Sequence, residues 1–245
     1  MIVVENSWVK QMEQYQEFLN RISSFELPVL SLGEGDFIPS ASVKSKVRED
    51  NRFSAFYGDT VVFDLADAEK VIINHIVNKL YQAAPECFSE RLIDSTFHMT
   101  LHDLSNSPVL NEVADAMKTN EAKLRDKLVA SPIPYQTIQM QSKAIFNMVN
   151  TSLVMGLYPV NEQEYDKLMQ LYQLVDEVQE LPYPLTPHIT LAYYHRNGFG
   201  QNSAKKLEDI INSLNQEKLY VTLHTSRLVY QHFTSMNEYR TQFHL

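Results

Sequence analysis

FHMTLHDL, residues 97–104, and PHITLAYY, residues 187–194, carry the same string twice: His, an apolar residue, Thr, Leu. The two histidines stand 90 positions apart in a chain of 245 residues. The bare pattern His-x-Thr/Ser discriminates poorly, because four of the eight histidines meet it: His98, His188, His224 and His232. The stricter string selects His98 and His188 alone. On an extended strand, residues two apart share a face. His98 and Thr100 are then neighbours on one face, with Met99 and Leu101 turned to a core. His188 and Thr190 repeat the arrangement, with Ile189 and Leu191 behind.

Outward from these strings, the chain from residue 60 reads as two similar halves. The first gives strand 60–65, helix 67–82, strand 96–104, helix 107–129 and strand 135–149. The second gives strand 151–160, helix 161–178, strand 188–194, helix 200–215 and strands over 219–233 and 238–245. Helices are read from i, i+3, i+4 apolar spacing, as in Leu207, Ile210, Ile211 and Leu214. Strands are read from β-branched and aromatic runs. Matching elements are offset by 90–94 positions, so the expected architecture is α+β with a duplicated lobe, the lobes spanning about 57–149 and 150–245. Residues 1–56 form a separate extension. It holds a helix with apolar positions Trp8, Met12, Tyr15, Phe18, Leu19 and Ile22, capped by Ser7, and then a loop around Gly33 and Gly35.

Two strands of this kind, brought together, offer two imidazoles and two hydroxyls around one point. Attack of water on a phosphodiester needs a base for the water and an acid for the departing alkoxide, and histidine suits either task. Each hydroxyl can donate to a nonbridging phosphoryl oxygen, where charge must be held. His98 and His188 are therefore the candidate catalytic pair, Thr100 and Thr190 the candidate phosphate binders. Tyr194, four residues beyond Thr190, and Tyr239 in the last strand are candidates for stacking on a base. Lys143 and Arg196 could bring positive charge near a phosphate, although a solvated surface role is the simpler reading. His102, read as a residue of the cleft mouth or of the solvent, is four residues beyond His98 on the same face, about 13 Å at ~3.3 Å per residue. That is too far for one ion, so neither a metal nor another cofactor is expected.

The two strings resemble the paired signature of the two-histidine (2H) phosphoesterase superfamily, over about residues 57–245. The stretch FYGDTVVFDL and the closing TLHTSRLVYQHFTSMNEYRTQFHL also resemble that superfamily's first and last strands. The resemblance implies two α+β lobes related by pseudo-twofold symmetry, antiparallel sheets facing a central cleft and helices outside. It implies His98 and His188 as an acid–base pair, with Thr100 and Thr190 on the phosphate. It also implies a metal-independent phosphodiesterase opening a 2′,3′-cyclic phosphate or a 2′–5′ linkage. Relatives leave two alternatives: a module that binds a nucleoside phosphate without turnover, and an RNA end ligase.

Composition narrows the partners. The net charge is −9, and the densest basic segment, VKSKVR, is followed at once by Glu49 and Asp50. A long polyanion would meet repulsion, whereas a small nucleotide or an oligonucleotide end needs only a few local donors. The single cysteine, Cys87, excludes an internal disulfide. No apolar run approaches the roughly 18 residues of a membrane span, and the N-terminus lacks the pattern of a signal peptide. A cytoplasmic protein without a membrane partner is expected, with a monomer favoured.

Overall fold

The computed structural model describes residues 13–25 and 35–245. Among these residues the β-branched and aromatic runs form eight strands. They are β1 (Tyr57–Asp64), β2 (His98–Ser107), β3 (Thr137–Met148), β4 (Ser152–Pro159), β5 (His188–Tyr193), β6 (Tyr220–His224), β7 (Leu228–Ser235) and β8 (Glu238–His244). The helices are α1 (Tyr15–Ser23), α2 (Val43–Lys46), α3 (Asp67–Ala83), α4 (Leu110–Ala130), α5 (Glu162–Asp176) and α6 (Gln201–Leu214). All eight strands join one antiparallel sheet in the order β6-β3-β4-β5-β2-β1-β7-β8. The protein is thus α+β, built on one continuous sheet rather than two separate ones. The two motif strands are neighbours at its centre, and Met99 opposite Ile189 is their one register pair.

The strands do not divide as the order of the sequence suggests. β3, read as the end of the first half, pairs with β4 and β6. β7 and β8, read as the end of the second half, attach to β1. The turn between β3 and β4 explains the first correction. Val149 and Asn150 both have positive φ, 44° and 56°. A turn over Met148–Thr151 with two residues of that hand at its centre, closed by Thr151 N–H to Met148 O at 2.9 Å, returns the chain to the adjacent antiparallel position, where Ser152 faces Met148. The second follows from a turn at Thr225–Arg227, which separates β6 from β7 within what reads as continuous strand sequence.

Alternation along the motif strands sets the two faces of the sheet. Met99, Leu101, Ile189 and Leu191 are fully buried in a core shared with Ile73 and Leu80 of α3, Leu168 of α5 and Leu207 of α6. Burying such a side chain is worth roughly 1.5–3 kcal/mol. A one-residue slip of either motif strand would forfeit several of these at once. His98, Thr100, His188 and Thr190 face the other way and are half-buried.

Ser7, Trp8, Met12 and Gly33 lie outside the described residues. α1 begins at Tyr15, where Gln14 and Glu17 form a capping box. Its buried Phe18 packs on Tyr165 of α5, ring centres 5.0 Å apart. Residues 35–56 are tied to the rest of the chain. Phe37 and Phe199 exchange backbone hydrogen bonds of 2.8 and 3.2 Å, and Ser40 N–H donates to Asn150 O at 2.8 Å. Among the described residues no helix is long and apolar enough to cross a membrane.

Candidate active site

The two motif strands line one cleft of about 350 Å³, with His98, Thr100, His188 and Thr190 in its wall. The register set by Met99 and Ile189 puts His98 level with Thr190 and Thr100 level with His188. The imidazoles are diagonal cross-strand neighbours, a relation that spans about 7–8 Å between Cα atoms.

Both imidazoles are held in the same way. His98 Nδ1–H donates to Thr96 O at 2.6 Å, and His188 Nδ1–H donates to Thr186 O at 2.6 Å. A carbonyl can only accept, so in each neutral ring the proton sits on Nδ1 and Nε2 keeps its lone pair. Each anchoring threonine is itself fixed: Thr96 Oγ1 donates to Ile93 O at 2.6 Å, and Thr186 Oγ1 accepts from Arg21 Nη1 at 3.2 Å. Among the described residues, the Thr100 and Thr190 hydroxyls have no hydrogen-bond partner, so both can donate to a ligand.

Burial in the cleft wall pushes His98 down to about 4, against a smaller opposing pull from the Thr96 carbonyl and Asp103, and His188 pushes it down further. Burial also lowers His188, opposed by the Thr186 carbonyl and Asp103. Both rings are therefore neutral in the empty cleft at neutral pH. An anion between them favours the charged form of each.

Each motif strand carries a β-bulge just after its threonine. Val61 pairs with His102 and Val62 with Thr100, leaving Leu101 extra; Leu153 pairs with Ala192 and Val154 with Thr190, leaving Leu191 extra. A bulge breaks the alternation of faces, and it corrects two expectations. Tyr194, expected on the motif face, is fully buried among Phe37, Phe88 and Phe199, and Tyr193 lines the cleft in its stead. His102 does not continue the face of His98. It is buried, with Nδ1 2.5 Å from Asp103 O and Nε2 3.0 Å from Asp176 Oδ1, and it still borders the cleft beside Asp103 and Tyr172. Tyr239 does line the cleft, edge-on to His98 with ring centres 5.1 Å apart.

Lys143 and Arg196 are not in the cleft wall. Lys143 Nζ donates to Ser23 Oγ at 2.8 Å. Arg196 pairs with Glu49 at 2.8 Å and donates to Lys44 O at 2.8 Å and to Val47 O. Arg196 thereby secures the extension. The extension in turn gives Ser42, Lys46 and Phe56 to the cleft. Among the described residues no group of three or more His, Cys, Asp or Glu side chains is placed to hold a metal ion.

Sequence reasoning missed Thr96 and Thr186, although a signal was present: both strings extend to Thr-x-His-x-Thr-Leu, at 96–101 and 186–191. Lys46 and Phe56 left no comparable signal, because they enter the cleft from outside the repeat.

No family model matches the chain, and no curated protein matches it. Among solved structures, the chain shares its fold with a conserved protein of unknown function from Agrobacterium tumefaciens. The TM-score is 0.62 at 13% identity, covering 83% of this chain and 91% of that one. It also aligns with a phosphoesterase, TM-score 0.46 at 15% identity, over 76% of this chain and 96% of that one. E. coli LigT complexed with 3′-AMP aligns with a TM-score of 0.44 at 14% identity, over 76% of this chain and 94% of that one. At 13% identity the likeness to the Agrobacterium protein is one of fold alone.

Proposed function

We propose that the protein is a phosphodiesterase that hydrolyses a 2′,3′-cyclic phosphate or a 2′–5′ phosphodiester of a nucleotide or short RNA end. The observation that carries this reading is the matched anchoring of His98 and His188, each through Nδ1 to the carbonyl two residues before it, on neighbouring strands of one cleft. One Nε2 takes the proton of a water as its oxygen bonds to phosphorus. The phosphorus–oxygen bond to the ribose breaks, and the other Nε2–H gives its proton to that oxygen. Thr100 and Thr190 donate to the nonbridging oxygens throughout. The chain's own groups supply the acid, the base and the donors.

Residues 57–245 are the catalytic unit on this reading, and residues 1–56 an extension that shapes its cleft. The strand order supports two related lobes, β2-β1-β7-β8 and β5-β4-β3-β6, each counted outward from the motif strand.

A second reading is a module that holds a nucleoside phosphate without turnover. One observation favours it: burial holds His98 down to about 4, so the proton for the leaving oxygen must be taken up with the substrate. Incubation with the four nucleoside 2′,3′-cyclic monophosphates in EDTA separates the two. A 2′- or 3′-monophosphate product supports hydrolysis. Unchanged substrate with measurable binding supports the module, and the absence of both turnover and binding contradicts both readings.

A further inference from the structure

Among the described residues, Lys46 is the one lysine or arginine that lines the cleft. It belongs to the extension and not to the repeat that carries the histidines. Its ammonium group lies 5.1 Å from the ring centre of Phe56 and 5.4 Å from that of Tyr193. Among the described residues it has no carboxylate partner, although the chain carries a net charge of −9. Ser42, four residues earlier, lines the same cleft; its Oγ donates to Ser40 Oγ at 3.0 Å and lies 3.0 Å from Thr151 Oγ1, so an anion there would be met by a hydroxyl turning away from Ser40. Residues four apart on a helical turn share a side.

Between Lys46 and the histidines runs an unbroken series of rings. Phe56 stacks on Phe233 at 6.2 Å, Phe233 meets Tyr239 at 5.5 Å, and Tyr239 meets His98 at 5.1 Å. The cleft therefore offers, in sequence, a hydrogen-bonding pair for one phosphate, an aromatic wall, and a lone cation with a hydroxyl. A half-buried lysine facing rings and no carboxylate keeps its charge available for an incoming anion, and a hydrogen bond to a charged group is among the stronger single contacts. The volume of about 350 Å³ falls in the range of small-ligand sites and suits an occupant the size of a nucleotide.

Resting on the hydrolytic reading above, we infer that Lys46 and Ser42 form a second anion subsite, and that the substrate is a nucleotide carrying a phosphate besides the one at the histidines. The extension then sets specificity while the two motifs supply chemistry.

The test compares adenosine 2′,3′-cyclic monophosphate with its 5′-phosphorylated counterpart, as a ratio of kcat/KM values. In parallel, calorimetry gives Kd for 2′-AMP and for adenosine 2′,5′-bisphosphate. The wild-type protein is expected to favour the 5′-phosphorylated compound roughly tenfold in each comparison. Lys46→Met, which keeps the aliphatic stem over the rings, is expected to bring both ratios close to one, and Lys46→Arg to retain them. A wild-type ratio near one, or a ratio that Lys46→Met leaves unchanged, overturns the inference. Should Lys46→Met fail to fold, the wild-type ratios and Lys46→Arg still decide it. Binding that prefers the bisphosphate through Lys46, with no turnover of either cyclic compound, sinks hydrolysis and leaves the subsite standing. Turnover of both compounds at one rate does the reverse.

Discussion

Met99 of β2 lies opposite Ile189 of β5, and this one register pair joins the two sides of the sheet. Its consequence is chemical. The residues flanking the pair, His98 and Thr100 on one strand and His188 and Thr190 on the other, all turn to the cleft, while Met99 and Ile189 anchor the strands in the core. Packing on one face thus fixes the spacing of the polar groups on the other.

The pH dependence of kcat/KM follows from the free protein. Catalysis by one neutral and one charged imidazole runs fastest between their two titrations. His98 is pushed down to about 4 and His188 lies below the ordinary 6.5. The profile is expected to be bell-shaped with its maximum below the ordinary histidine value of 6.5, and kcat, read with phosphate bound, to peak at higher pH. A kcat/KM that keeps rising above pH 7 contradicts this assignment.

Stability carries the same signature. Between pH 6.5 and 4 the unfolded chain, with His98 at its ordinary 6.5, binds more protons than the folded one. The contribution of a neutral His98 is therefore intact above pH 6.5 and is lost as pH falls toward 4, an effect on the order of 3 kcal/mol. Urea unfolding of His98→Gln and wild type at pH 7 and pH 4.5 measures it. The variant is expected to lose less stability on acidification.

Thr100→Val and Thr190→Val remove a donor while keeping the shape of the side chain. Each is expected to lower kcat about 10²-fold, the usual cost of one donor to a developing negative charge. Melting temperatures should stay near wild type, because neither hydroxyl bonds to another described residue. Steady-state kinetics beside a thermal melt provides the check.

Tyr194 supplies a control. Its hydroxyl is buried without a partner among the described residues, and burial raises its pKa well above the phenol value. Tyr194→Phe removes an unpaired polar atom and is expected to gain about 1 kcal/mol of stability with turnover unchanged. A fall in turnover would return Tyr194 to the site.

Much of this was legible in the sequence. The local signals were strong: β-branched runs gave the strands, 3.6-residue spacing gave the helices, and the doubled string gave the four residues at the centre of the cleft. What stayed hidden depends on pairing across the sheet. Alternation alone cannot reveal the bulges at Leu101 and Leu191, and those bulges exchange Tyr194 for Tyr193 and turn His102 off the face of His98. The order of elements cannot reveal that β7 returns to β1. Lys46 reaches the cleft through the docking of a segment tied by Arg196 to Glu49 and to the Lys44 and Val47 carbonyls, contacts made across about 150 positions of chain.

The central claim is that His98 and His188 act on one phosphorus centre in one step. Residues that work as a unit are strongly non-additive. The decisive measurement is kcat/KM on a nucleoside 2′,3′-cyclic monophosphate for His98→Ala, His188→Ala and the double variant. Each single change is expected to cost about 10²–10⁴-fold, and the double variant to be no more than about tenfold worse than the weaker single one. A single variant with wild-type turnover, or a double variant whose loss is the product of the two, would contradict it.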